Sequence, residues 1–464
     1  MKPRLSIQPC FGLAMLAILW TNLATAATIT VTNTNDNGPG SLRAAIAAAA
    51  PGDTIDFSLP FPETITLTSA PLVIYNSVTI SGPGPLNLAI SADQLLGVFQ
   101  IAPFTPRVAI SGLTIQGGGL SGNQVTPQGG GIFNEGQATI TNCTVTTNQA
   151  AEGGGIYNHG TMTITNSTIS GNGAEYGGGI LNQGAMTVIN STISQDGAVS
   201  EGGGVYNEGT LTLTNSTLFG STASNSAGGG GGGIFNTETL TVNNTTIYDN
   251  CAGSFSGASC NSIGVGGAIF DYSGTLEVKN SILANNGPSG NCAFTGTYPL
   301  PLSFGHNLSD DDTCYFFTAI GDELGVLPGL DPNGIESNGG PTKTIALLPG
   351  SPAIDAIPVA PTNYCTAIDG TAILTDQRGV ARPQGVGCDS GAFEVTFRQG
   401  TKQTLTGTLT AAGHSLERGD DEGARIELEV FLGEVGLFKL AGQLTYLEAA
   451  PLASADWGIL SQLR

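Results

Sequence analysis

The 464-residue chain is short of charge, and above all of positive charge. Its 14 Lys and Arg stand against 36 Asp and Glu, for a net charge of −22, and only 11% of residues are charged. Such a surface disfavours nucleic acid, anionic lipid and polyanionic glycans as partners. Between Arg107 and Lys343 the only basic side chain apart from histidine is Lys279. Beyond the first twenty residues no stretch reaches the roughly 18 apolar residues of a membrane-spanning helix. Regular 3.6-residue periodicity and leucine skeletons are also missing, which excludes helical arrays and leucine-rich repeats.

What is abundant is glycine, at 69 residues, with frequent Thr, Ser and Asn, the composition of a turn-rich β protein. At the N-terminus Lys2 and Arg4 precede an apolar run from Phe11 to Trp20 and then Ala24-Thr25-Ala26. This pattern predicts a secretory signal over residues 1–26, an exported chain beginning at Ala27, and a secreted or outer-surface location. Cys10 lies ahead of the apolar run, badly placed for a lipidated N-terminus.

A repeat dominates the middle. The phrase "EGGGIYNHGTMTITNSTISGN" at Glu152 to Asn172 has close copies on both sides, with an apolar column at Ile132, Ile156, Ile180, Val205, Ile234 and Ile269. A period in the twenties means a solenoid. Met162 and Ile164 alternate with Thr163 and Thr165, as in a strand with one buried face. One asparagine column runs through Asn134, Asn158, Asn182, Asn207 and Asn236 and closes at Asp271, and another runs through Asn142, Asn166, Asn190, Asn215, Asn244 and Asn280. Both are expected as structural ladders of inward amides, each bonded to the coils above and below. The sequons at the second column then carry no glycan, because an inward asparagine cannot.

The expected fold is all-β: a right-handed single-stranded parallel β-helix with a short N-terminal capping helix and a small C-terminal β appendage. About twelve coils would make a rod some 55 to 60 Å long. Residues 27–60 form the cap, in which Ser41 starts a helix with Leu42, Ala45 and Ile46 on one face. Residues 61–345 form the coils and 346–395 a C-terminal module. Within residues 396–464 the alternation of "ARIELEVF" reads as strand.

The coils, with "GGAIF" at Gly266 to Phe270, resemble the right-handed parallel β-helix proteins of the pectin-lyase-like superfamily, especially bacterial surface proteins with polymorphic-membrane-protein-like repeats. The phenylalanine-led half of that repeat pair is replaced by "TNSTI". "GPGSLRAAIAAAA" resembles the CSLREA-type N-terminal module, with Gly40 in place of its cysteine and Ala44 in place of its glutamate. "NGGPTKTIALLPGSPAIDA" and "DQRGVARPQGVGCDSGAFE" resemble the choice-of-anchor Q module.

Few residues offer chemistry. His159 fills a slot held elsewhere by Glu135, Gln183, Glu208 and Thr237, which reads as an exposed turn. Gly228 to Gly233 leads into a strand with no Gly-Lys-Ser/Thr, so a phosphate loop is not supported. Glu152 and Glu201 stand two coils apart, roughly 9.6 Å, near the separation of an inverting glycosidase, with Tyr176 between them. Lyase chemistry would need a base that only Lys279 could supply. Asp310, Asp311 and Asp312 suit calcium by ligand type, although an exposed turn is the preferred reading and no cofactor is expected.

Six cysteines bracket irregular segments and are expected to pair locally: Cys251 with Cys260, Cys292 with Cys314, Cys365 with Cys388, other connectivities being open. Cys143, in a slot otherwise held by Ser167, Ser191, Ser216 and Thr245, is left free. The expected function is a structural, adhesin-like β-helix presenting loops to extracellular carbohydrate or a surface protein. The alternative is a polysaccharide-active enzyme, a glycoside hydrolase or lyase, on the same fold.

Overall fold

The computed structural model describes residues 26–396, apart from 94–96, 105–106, 120–127, 225–229, 254, 257–258, 261–263 and 297–298, together with 408–440 apart from 417. The predicted export signal and residues 441–464 lie outside the described residues.

One coil shows how the rest is built. Gly153 turns the chain at φ +62°, and a Cβ on Gly154 would sit 2.3 Å from the carbonyl oxygen of Gly173. Stacked coils approach so closely here that only glycine fits. The chain then forms three short strands, Ile156–Asn158, Thr161–Thr165 and Thr168–Ser170. Each pairs in parallel with its counterpart one coil on: Ile156 with Ile180, Met162 with Met186, Ile169 with Ile193. Repetition generates three sheets, named here in the order a coil visits them: sheet 1 with nine strands, sheet 2 with eleven and sheet 3 with ten. Ile156, Met162, Ile164 and Ile169 all point into one core, which is continuous from Val31 to Phe317.

The molecule is therefore a parallel β-solenoid. Eleven stacked strands span about 48 Å, at roughly 4.8 Å per step. It is shorter than the repeat period implied, because residues 329–396 leave the stack and lie along its flank. There Leu330, Ile345, Leu347 and Ala353 pack with Ile282, Ala284 and Leu308 of the coils. Gln377 ties this module to sheet 3, accepting from Thr217 Oγ1 at 2.7 Å and donating to Thr192 Oγ1 at 2.9 Å. At the N-terminal end the helix Leu42–Ala48 plugs the core with Leu42, Ala45 and Ile46, and Ser41 Oγ accepts from Ala44 N at 3.2 Å. Phe316 and Phe317 cover the core beside Cys314 at the far end.

The expected β appendage is corrected. Asp421–Leu440 is an α-helix. Ala424, Leu428, Phe431 and Val435 are buried, while Ile426 and Val430 are half exposed. Three- and four-residue spacing governs this segment, and the two-residue alternation at Ile426, Leu428 and Val430 is incidental.

The two asparagine columns behave differently. Asn134, Asn158, Asn182, Asn207 and Asn236 are fully buried, and each donates from Nδ2 to the Oδ1 of the next coil at 2.7 to 2.8 Å, ending on Asp271. The second column is not a continuous inward ladder: among its described members only Asn280 bonds a neighbouring copy, donating from Nδ2 to Asn244 Oδ1 at 3.4 Å. Asn142, Asn166, Asn190, Asn215, Asn244 and Asn280 turn the corner between sheets 2 and 3 with φ of 45° to 54°. Asparagine stands there because it tolerates the left-handed conformation. Asn142 is exposed, so inward geometry does not bar a glycan at that sequon. Asn215 and Asn280 are buried because the flanking module covers them, each donating to its backbone: Asn215 to Thr375 O, Asn280 to Tyr364 O and Thr366 O.

A further ladder, missed in the sequence, closes the corner after sheet 3. Asn148 donates to Asn172 Oδ1 at 3.0 Å and Asn172 to Asp196 Oδ1 at 2.9 Å, while Asn250 donates to Asn286 Oδ1 at 2.9 Å. Its members are spaced like the other columns, but Asp196 and Ser221 interrupt the pattern. Burial pushes the Asp196 carboxyl up to about 8, and its Oδ2 has no hydrogen-bond partner among the described residues.

The cysteines pair as Cys251–Cys260, Cys292–Cys314 and Cys365–Cys388, with Cys143 free and buried. Cys143 sits at the head of a hydroxyl column, its backbone N donating to Ser167 Oγ as Ser167 N donates to Ser191 Oγ. Burial raises its thiol to about 11, so it stays protonated and unreactive.

Three outcomes follow. Asn182→Ala strips the ladder bonds of Asn158 and Asn207 in a dry interior and is expected to cost about 2–4 kcal/mol in a denaturant melt. Asn142→Gly at the exposed corner keeps the left-handed turn and is expected to change stability by less than about 0.5 kcal/mol. Asp196 titrates near 3.8 unfolded and about 8 folded. The folded state binds the extra proton between these values, so stability is expected to fall as pH rises from about 4 to 8. Asp196→Asn, which can donate to the Ile169 carbonyl as Asn172 donates to Val145, removes that part of the slope. Its gain in melting temperature is expected to be larger at pH 8 than at pH 4.

Candidate functional site

The strands of sheet 1 are three residues long, and in the five repeat coils each sets one side chain between its inward apolar residue and its ladder asparagine. With Phe270 of the next strand these form the in-register row Phe133, Tyr157, Leu181, Tyr206, Phe235 and Phe270, of which Tyr157, Leu181 and Phe235 are buried by their neighbours and Phe133, Tyr206 and Phe270 are partly exposed. In the sequence the row stands as "GIFN", "GIYN", "GILN" and "GVYN", where two more regular columns flank it. Tyr206 and Phe235 stack with centroids 4.9 Å apart and planes 17° apart, and Tyr272 stacks on Phe235 at 5.8 Å. Phe133 meets Tyr157 edge-on at 5.5 Å, and Tyr176 meets Tyr206 edge-on at 5.7 Å.

Polar rows flank the rings. On one side Gln128, Glu152 and Tyr176 follow one another by parallel bridges, and Gly177 N donates to Glu201 O, placing Glu201 next in the row. Glu152 and Glu201 thus stand two coil steps apart with Tyr176 between them. On the other side Tyr157 Oη donates to Gln183 Oε1 at 2.5 Å, and Gln183 Nε2 donates to Glu208 Oε2 at 2.7 Å. His159 is exposed in this second row. Burial, then the Glu152 and Glu208 carboxylates, push the Tyr157 phenol to about 12. Burial and the Glu208 and Glu201 carboxylates raise Tyr206 as well. Both phenols are therefore neutral donors. At the N-terminal end of the face a cleft of about 220 Å³ is lined by Pro71, Phe99, Gln100, Gln128 and Phe133.

The other sequence candidates lie elsewhere. Lys279 is buried under the flanking module, where Nζ donates to Thr366 Oγ1 at 2.7 Å and to Ala367 O at 3.3 Å. Asp310 accepts from Asn291 Nδ2 and Asn285 N, both at 2.8 Å, and Asp311 accepts from Asn291 N and from Thr313. These carboxylates end the ladder of the corner after sheet 3, with their oxygens occupied by donors. Among the described residues no group of three or more His, Cys, Asp or Glu is arranged to hold a metal.

The charged residues of "DQRGVARPQGVGCDSGAFE" build the interior of the module. Arg382 pairs with Glu394 at 3.1 Å with both side chains fully buried, and Arg378 pairs with Asp376 at 2.6 Å while lying over the Phe393 ring. Burial, helped by Glu394, pushes Asp389 up to about 7. This network holds loops together that have almost no regular strands.

No family model matches the chain, and no curated protein matches it. Among solved structures it is similar to a mutant of AlyGC, a PL6 family alginate lyase, at 10% identity and a TM-score of 0.29. The alignment covers 76% of this chain and 58% of the lyase chain.

Replacing Lys279 by Met removes two bonds under the module and is expected to lower stability by about 1–3 kcal/mol. Any binding or glycan processing on the sheet 1 face is expected to be unchanged in parallel assays, because the ammonium is not on that face.

Proposed function

We propose that the protein is an exported, surface-associated β-solenoid that binds uncharged polysaccharide along the sheet 1 face and does not cleave it. The observation that carries this reading is the row of rings walled by carboxylates, amides and phenols. The partly exposed rings of Phe133, Tyr206 and Phe270 and the exposed Tyr272 give apolar platforms for the C–H faces of a sugar, and the flanking groups accept and donate to its hydroxyls. The repeat of about 4.8 Å per coil lines side chains up along the length of the face, which suits an extended chain better than a single small molecule. Net charge disfavours uronate polymers. Three disulfides support folding in an oxidising compartment. No helix among the described residues is long and apolar enough to cross a membrane.

Hydrolysis is the second reading, favoured by the stacked Glu152 and Glu201. Their separation of roughly two coil steps, about 9.6 Å, sits at the upper edge of the inverting range.

A panel of neutral and acidic glycans, read for both binding and products, tests the proposal. Neutral chains are expected to bind and stay intact, and Tyr206→Ala is expected to weaken binding about tenfold, or about 1.4 kcal/mol. Reproducible cleavage abolished by Glu152→Gln or Glu201→Gln would establish the hydrolase instead, and binding confined to acidic chains would contradict the charge argument.

A further inference from the structure

Sheet 2 presents a surface unlike the rest of the molecule. Its outward central column runs through Thr139, Thr163, Thr187, Thr212 and Thr241 in unbroken parallel register. On two of these strands, Thr161–Thr165 and Thr210–Thr214, every outward position is threonine. From the strand Gln137–Thr141 to the strand Thr239–Asn243 no outward position carries a charge or an aromatic ring. That is a deliberate-looking gap in a chain of net charge −22. None of the five central hydroxyls has a protein partner among the described residues.

The same device is occupied elsewhere. On sheet 3 the outward Thr192, Thr217 and Thr246, one coil apart, use their hydroxyls to hold the flanking module. Thr192 Oγ1 donates to Lys343 O, Thr217 Oγ1 donates to Gln377 Oε1, and Thr246 Oγ1 accepts from Ala392 N. A column of outward threonines on this scaffold is thus a working docking lattice. On sheet 2 the central column stands open, the module reaching only the edge at Asn243, whose Oδ1 accepts from Ile368 N at 2.9 Å.

Its geometry selects the occupant. Threonine is stiff at χ1, so the position of each hydroxyl and methyl is fixed by the backbone beneath. That backbone is locked by in-register pairing and by the buried asparagine ladder at the adjoining corner. Hydroxyls therefore repeat about every 4.8 Å between coils down the central column, and on the strands Thr161–Thr165 and Thr210–Thr214 also about every 6.6 Å along the strand. Water oxygens on a prism face of hexagonal ice repeat on a comparable mesh. Methyl groups between the hydroxyls restrict the orientations of the water above them, and the absence of charge leaves nothing to break that order. A crystalline sugar surface would call for ring platforms, which this face lacks. We propose that sheet 2 binds ice, through an ordered water layer anchored on the threonine hydroxyls.

The test uses the full exported chain. Ice is grown slowly through a dilute solution, the protein fraction taken into the ice is measured against an inert globular protein, and ice recrystallisation is timed beside it. The parent is expected to be enriched several-fold in the ice and to slow recrystallisation. Thr163→Lys combined with Thr212→Lys, outward changes checked by an unaltered disulfide map and melting curve, is expected to abolish both effects. Thr163→Ser alone is expected to keep most of the enrichment, and Tyr206→Ala on sheet 1 all of it. Exclusion of the parent from ice would overturn the proposal, as would undiminished enrichment of the folded double-lysine variant. Retention on microcrystalline cellulose that is lost in the double-lysine variant, without enrichment in ice, would assign the face to a sugar lattice instead.

Discussion

Everything in this molecule depends on how a tightly coiled chain satisfies the polar groups at its corners. Along the sheets the backbone ladder does this by itself. At the corners the chain bends inward, and a buried amide or carbonyl without a partner would cost on the order of 1–3 kcal/mol each time. Three columns of side chains solve the problem by bonding to the coils above and below: asparagines led by Asn134, asparagines led by Asn148 and interrupted at Asp196 and Ser221, and the hydroxyls of Ser167, Ser191 and Ser216. Because each asparagine both donates and accepts, a column of any length closes on itself and needs only its ends treated. Asp271 and Asp310 are such ends, carboxylates that accept the last amide and return none.

This constraint also explains the surfaces. With the interior given over to isoleucine, leucine and ladder asparagine, coil-to-coil variation is confined to outward positions, and each sheet has acquired its own character. Sheet 1 carries aromatic rings, sheet 2 threonine, and the C-terminal half of sheet 3 lies under the module of residues 329–396. In-register stacking turns any residue favoured at one outward slot into a linear array, so one coil specifies a whole face. Extended or periodic ligands are the natural partners of such faces, and the one internal example, the module on the sheet 3 threonines, is bound through three successive coils.

Much of this was legible from the residues. Period, strand alternation, the capping helix begun by Ser41 and the inward column at Asn134 all follow from local rules, and so does Cys143 standing in a serine column. The second asparagine column misled because inward and left-handed corner asparagines share the same period. Sequence alone does not tell an amide that bonds from one that merely tolerates φ near 50°. The strand reading of "ARIELEVF" failed because seven residues satisfy a two-residue period by chance, while the burial of Ala424, Leu428, Phe431 and Val435 needs twelve residues to show itself. The aromatic row on sheet 1 was visible but lay between two more regular columns. The ion network of Arg378, Arg382, Asp376, Asp389 and Glu394 was hidden because its members meet only through the folding of irregular loops.

The central claim, that bonded side-chain columns and not the outer turns fix the coil, is tested most directly by native-state hydrogen exchange resolved to single amides. Backbone amides held by the inner ladders, such as Asn148 N on Asn172 Oδ1 and Asn172 N on Asp196 Oδ1, are predicted to exchange only with global unfolding, as slowly as Ile156 and Ile180 in the sheets. Amides of the exposed outer turns at Glu175 and Val199 are predicted to exchange orders of magnitude faster through local opening. Equal protection at the laddered amides and at these outer turns, or faster exchange at the laddered ones, would contradict the account.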